Sequence, residues 1–126
     1  MGIDCLRVTD RPEIGVEVLD PSSMESVKVN AIVDTGFSGW LLVPFRIYQR
    51  ISSLELHEDK WNVYSTLIGN VRTRVARSII TLGGVKIHGF VETPVFGREL
   101  YLVGRELLKR IELRLVKGQE VCVGDP

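Results

Sequence analysis

Apolar and polar residues alternate along Glu13-Ile14-Gly15-Val16-Glu17-Val18-Leu19, the period of a half-buried strand. Asp20-Pro21-Ser22-Ser23 then reads as a turn, because Pro presets one φ and the Asp and Ser side chains bond the backbone. Residues 27–33 form the next strand and predict a hairpin with the first. That strand ends in Ala31-Ile32-Val33 and meets Asp34-Thr35-Gly36-Phe37-Ser38-Gly39, and a second apolar run, Trp40-Leu41-Leu42-Val43, leaves at once. Apolar runs bounded by turn residues read as core strands, so a sharp bend joins two buried strands with Asp34 at its apex. Pro44 opens a short helix, since apolar side chains at 44, 47, 48 and 51 recur at helical spacing, and it ends near Ser52-Ser53. Residues 54–60 are polar and irregular. From Trp61 the pattern returns to strands: 61–68, a turn at Gly69-Asn70, 71–82, a turn at Gly83-Gly84, and 85–92. Gly-Gly between β-rich runs is a strong hairpin signal. After a loop at 94–99 come a buried strand at 100–103, a helix from Gly104 to about Arg110, and strands at 111–116 and 120–123. Many short strands with one or two short helices predict an all-β domain, closed or nearly closed to hide its edges.

The chain has 126 residues, enough for a single domain, 1–126, with a real core but not for two. Sixteen basic and sixteen acidic side chains cancel, which gives no reason to expect nucleic acid or an anionic membrane as partner. Arg72, Arg74 and Arg77 make a local basic stripe, but no aromatic residues interleave to stack bases, and the spacing suits a solvated strand face. No apolar stretch approaches a membrane span, and the first residues carry no basic region followed by an apolar run, so a cytoplasmic setting is the expectation. Cys5 and Cys122 are too few for a disulfide framework or a zinc site and read as small apolar residues of terminal strands. His57 sits alone in a charged loop. No metal and no cofactor are expected.

Asp34 is the chemically informative residue. Burying a carboxylate costs several kcal/mol unless donors or a shared proton compensate, and Thr35, Ser38 and the amides around Gly36 and Gly39 are the local donors. Asp-Thr-Gly is also an ordinary turn tripeptide, so a purely structural aspartate in an orphan barrel stands beside any catalytic reading. A second stretch, Leu102-Val103-Gly104-Arg105-Glu106-Leu107-Leu108, changes that balance.

The first stretch resembles the catalytic loop of the retropepsin-like aspartic proteases, hydrophobic-hydrophobic-Asp-Thr-Gly-x-Ser. The second resembles that family's hydrophobic-hydrophobic-Gly-Arg-Asp/Asn-x-Leu segment. The order of the two, the interval between them and the hairpin in between all suit the family, over roughly residues 13–115. Asp-Thr-Gly-Phe-Ser-Gly followed by Leu-Leu-Val-Pro looks most like the small cellular and prokaryotic branch.

The resemblance implies a closed barrel-like fold in which Leu102, Val103, Gly104 and Arg105 cross the catalytic strand in a ψ shape. It implies an aspartic endopeptidase with Asp34 as acid and base. Thr35 would lock two loops across a dimer axis, Gly36 would present its amide to the carboxylate, and Ser38 would support the loop. Phe37 and Gly39 would border the substrate, with Trp40 nearby as pocket wall or plain core. A flap tip at Ile68-Gly69-Asn70 would close over an extended peptide. This chemistry needs two carboxylates sharing one proton, because like charges a few Å apart cannot both ionise cheaply. The chain holds one Asp-Thr-Gly, so catalysis requires a homodimer. A non-catalytic dimeric peptide-binding module on the same fold is the alternative; the intact Asp34-Thr35-Gly36 triplet favours the enzyme.

Departures are local. Phe37 stands where the viral enzymes carry a small residue, and Ser38 where they often carry an acid paired with the arginine equivalent to Arg105. That leaves Glu106, another carboxylate or the chain terminus as partner for Arg105. In the viral branch the chain ends of two subunits interleave. Residues 1–9 and 120–123 doing likewise would bring Cys5 near Cys122, where a Cα separation below about 7 Å permits an intersubunit disulfide.

Overall fold

The structure, a computed structural model, describes residues 4–7, 13–66, 69–97, 99–116 and 120–124. In chain order the elements are β1 (Asp4–Arg7), β2 (Glu13–Leu19), β3 (Ser26–Val33), β4 (Leu41–Leu42), α1 (Phe45–Tyr48), β5 (Asn62–Thr66), β6 (Gly69–Leu82), β7 (Val85–Pro94), β8 (Leu102–Val103), α2 (Arg105–Leu108), β9 (Glu112–Val116) and β10 (Glu120–Gly124).

Alternation along β2 buries Ile14, Val16 and Val18 and leaves Glu13 and Gly15 outside, and β2 forms the predicted antiparallel hairpin with β3. The turn between them is held by Asp20, which is buried. Its Oδ1 accepts the Ser22 amide at 2.9 Å, and its Oδ2 accepts the Ser53 amide at 2.9 Å and the Ser53 hydroxyl at 2.5 Å. Seven strands follow the order β2-β3-β8-β4-β7-β6-β5. The 14-residue β6 is long enough to give one edge to β5 near its start and to β2 near its end, where Val18 faces Ile80. That second pairing closes the sheet into a ring around Leu41, Val43, Tyr48, Ile80, Val91 and Val103, all without exposed surface. A mainly β, barrel-like domain is therefore what forms.

Several expectations shift in detail. The predicted helix over 44–51 is a single α-turn with Pro44 as its cap, yet Pro44, Ile47, Tyr48 and Ile51 are all buried, as the spacing requires. The strand expected at 100–103 shrinks to β8, although the Tyr101 carbonyl still accepts the Ile32 amide at 2.8 Å. Gly83 and Gly84 make the predicted turn with φ of 56° and 76°. Gly69 and Asn70 do not form a turn. They open β6, Gly69 faces Thr66, and the connection is residues 67–68. Ile68 thus lies outside the described residues. Of the arginine stripe, Arg74 is not solvated: it is half-buried and bidentate to Glu55 at 2.7 and 3.0 Å. β1 pairs with β10 of the same chain and β10 with β9, which puts Cys5 opposite Cys122 within one chain. No helix among the described residues is long and apolar enough to cross a membrane.

Candidate active site

β3 delivers Asp34 between backbone anchors: the Asp34 amide donates to the Val103 carbonyl at 3.0 Å. The chain then bends through Thr35–Gly39 and returns as β4. β8 lies parallel to β3 on one side and antiparallel to β4 on the other, so it passes between the two arms of the Asp34 loop. This is the expected ψ arrangement, with Leu102 and Val103 as its central strand.

The start of α2 clamps the loop from below. The first amides of a helix have no partner inside it. Here the Gly104 amide donates to the Trp40 carbonyl at 2.7 Å, the Arg105 amide to Phe37 at 2.8 Å and the Glu106 amide to Gly39 at 3.0 Å. Gly104 is required by space, since a Cβ there would run into the Gly39 carbonyl and the Phe37 ring. Its closeness to the loop is the property expected of a glycine at a backbone crossing.

The apex itself is open. Asp34 is half-buried, and Thr35, Gly36 and Ser38 are exposed. Asp34 Oδ1 accepts the Gly36 amide at 2.9 Å. Ser38 makes no side-chain hydrogen bond among the described residues, so nothing here gives it the expected supporting role. Arg105 is exposed and unpaired among the described residues, and it does not anchor Glu106. Glu106 is held instead by Lys109 at 3.0 Å and Arg110 at 3.5 Å, with Lys109 the main cause of its lowered pKa. Trp40 packs on Gly89 and against Phe90 at 5.4 Å between ring centroids, with the Arg110 guanidinium 4.4 Å from its ring. Core packing accounts for it. Phe37 is half-buried against Tyr64, edge to face at 5.1 Å. Gly69 and Asn70 are exposed on β6.

Gly39 is buried for a reason that residue spacing does not reveal. A Cβ at this position would meet Glu92 Oε2, the Tyr64 hydroxyl and the Phe37 ring. Glu92 has no exposed surface, and its Oε2 accepts the Trp40 amide at 2.9 Å. Its Oε1 accepts Asn62 Nδ2 at 3.0 Å, the Tyr64 hydroxyl at 2.5 Å and the Thr73 hydroxyl at 2.8 Å. Burial, and then the Glu92 charge, push the Tyr64 pKa up. Glu92, Tyr64, Asn62 and Thr73 were invisible as a group in the sequence. The one available signal was a carboxylate between Val91 and Thr93 in a strand otherwise bound for the core.

Two solved structures are similar to this one over most of the chain. A retropepsin-like aspartic protease from Rickettsia conorii superposes with a TM-score of 0.64 at 16% identity, over 97% of this chain and 98% of that one. EIAV protease in complex with the inhibitor HBY-793 gives 0.59 at 19% identity, over 81% and 88%. The chain has the retropepsin fold. At these identities the likeness speaks for the fold alone. No protein-family model matches the sequence, and no curated protein does. In the retropepsin fold of this chain, Asp34 occupies the open end of the ψ, and no cluster of metal-ligating side chains occurs among the described residues.

Proposed function

We propose that the chain is an aspartic endopeptidase whose catalytic unit is a homodimer, with one Asp34 from each copy. The observation that carries this reading is the contrast within one loop. Its backbone is clamped by three amides from the start of α2, while the Asp34 carboxylate at its apex stays half exposed with one amide donor. The buried structural carboxylate of this chain, Asp20, is by contrast saturated with donors.

In the dimer one Asp34 is ionised and its mate protonated, because two close like charges resist joint ionisation. The ionised group takes a proton from water, and the water oxygen attacks the peptide carbonyl carbon. The protonated group gives its proton to the carbonyl oxygen. The first Asp34 then passes the proton it took from water to the amide nitrogen while its mate takes a proton from a hydroxyl of the tetrahedral carbon, and the C–N bond breaks to leave a carboxylic acid and an amine. No metal or cofactor enters these steps. Thr35, exposed beside the apex, bonds across the dimer axis, and the β5–β6 hairpin covers an extended peptide that adds as a strand.

The test is incubation of purified protein with denatured protein and with a peptide library from acid to neutral pH, beside Asp34→Asn. Cleavage by the wild type and none by the variant is expected. Equal cleavage by both removes Asp34 from the mechanism, and saturable peptide binding without cleavage by either favours the binding module. Sedimentation checks the dimer: a strict monomer at high concentration leaves no second carboxylate and ends the catalytic reading.

A further inference from the structure

Among the described residues, Asp20 and Glu92 are the buried carboxylates that no Lys or Arg pairs with, and the side-chain and backbone partners of Glu92 come from three separate elements. Trp40 belongs to the exit of the Asp34 loop, Asn62 and Tyr64 to β5, and Thr73 to β6. β5 and β6 are the two arms of the hairpin. One side chain therefore joins the loop that carries Asp34 to both arms of the hairpin. The Phe37 ring on Tyr64 is a second contact along the same line.

The chemistry explains why a carboxylate serves here. Each of its partners offers an N–H or O–H, and a carboxylate is an acceptor with about four lone-pair sites. An amide of the same shape would turn an NH₂ toward at least one of those donors. Removing the acceptor leaves several buried donors unpaired, and each such group costs free energy. Gly39 completes the fit, because any side chain there would displace Glu92 Oε2 from the Trp40 amide.

We propose that Glu92 is a positioning residue that holds the Asp34 loop and the β5–β6 hairpin in one fixed relation. Asp34 and a covering hairpin act on the same peptide, so their relative placement enters the rate directly; this consequence rests on the peptidase reading. The mechanical link itself does not.

Amide hydrogen exchange tests the link without using activity. In Glu92→Gln, exchange of the Trp40 amide and of the β5–β6 amides is expected to rise together by about tenfold or more, while the β2–β3 amides stay protected. Tyr64→Phe keeps the ring against Phe37 and removes only a hydroxyl. It is expected to speed Trp40 exchange by a smaller factor, although the Tyr64 hydroxyl reaches the Trp40 amide only through Glu92. A Trp40 amide unmoved in Tyr64→Phe overturns the proposal, whether or not Glu92→Gln folds. A uniform rise across β2–β3 as well marks Glu92 as a stability residue only and also overturns it. If the wild type cleaves peptide, Tyr64→Phe is expected to lower kcat, measured well below the melting temperature where the variant is fully folded, with KM little changed. A fall in melting temperature with unchanged kcat counts against positioning. If the wild type cleaves nothing, the peptidase reading falls and exchange alone decides the link.

Discussion

Two aspartates end strands of the same hairpin, and each begins a turn with hydroxyl residues close behind. Asp20 follows β2 in Asp20-Pro21-Ser22-Ser23, and Asp34 follows β3 in Asp34-Thr35-Gly36-Phe37-Ser38. Asp20 is buried and saturated: the Ser22 and Ser23 amides reach Oδ1, and the amide and hydroxyl of Ser53 reach Oδ2. Asp34 is half exposed and has the Gly36 amide. Burial by itself raises the pKa of Asp20, but the Ser53 hydroxyl and then the three amides outweigh it and bring it down to about 2. The same residue type in a similar local sequence is thus spent on architecture in one turn and left with free lone pairs in the other. What separates them is a third segment, at Ser53, that folds onto Asp20 and has no counterpart over Asp34 among the described residues.

That contrast breaks most sharply at Asp34. Asp34→Asn is expected to lower kcat/KM on the order of a thousandfold, the middle of the range for losing a proton-transfer group. Its melting temperature should stay within about 1 °C of wild type, since the Asn oxygen still accepts the Gly36 amide. A large drop in stability would make Asp34 a second Asp20. The reverse pattern is expected for Asp20→Asn: a loss of about 2 kcal/mol at neutral pH, read by urea unfolding, with kcat per folded molecule unchanged.

The pH dependence carries the sign of that shift. The folded pKa of about 2 lies below the ordinary 3.8. The stabilisation is therefore complete above about pH 4 and is lost as pH falls toward 2. Wild type and Asp20→Asn should converge in stability across that window, and parallel curves would deny Asp20 its role. Ser53→Ala removes one donor of the set and is expected to cost about 1 kcal/mol, with the Asp20 pKa moving back up in an NMR titration. The smallest effect is Ser38→Ala, within about 0.5 kcal/mol by the same unfolding measurement, because Ser38 is exposed and makes no side-chain bond among the described residues. A larger cost would give Ser38 the supporting role that the resemblance implied.

Much of the architecture is legible in the sequence. The alternation over 13–19 and the Gly83-Gly84 hairpin depend on neighbours in sequence, and both hold, while the apolar run into Asp34 forms its strand but is only partly buried, Ala31 fully and Ile32 and Val33 in part. The ψ crossing was legible only because two separated motifs resemble one family. A Gly-Asn pair reads as a turn and puts the β5–β6 connection two residues late, whereas Gly69, with a turn-like φ of 113°, pairs inside the strand with Thr66. The interleaved termini were a property of the resembling family, whereas β1 here finds β10 in its own chain.

Glu92 shows where local pattern stops. Along β7, Lys86 and His88 face out while Ile87, Gly89 and Val91 face in. Glu92 shares the outward parity of Lys86 and His88, so by period alone it belongs to solvent. It is buried because the Asp34 loop and the hairpin arms close over that end of the strand and supply four donors to its oxygens. The sequence alone determined the inner face of β2 and the bend at Gly83-Gly84, since these follow from side-chain period and backbone preference. Only the tertiary structure decided which carboxylates are saturated and which stay open. Hydrogen-bond donors to a buried charge come from segments far apart in the chain, and no local period encodes their meeting.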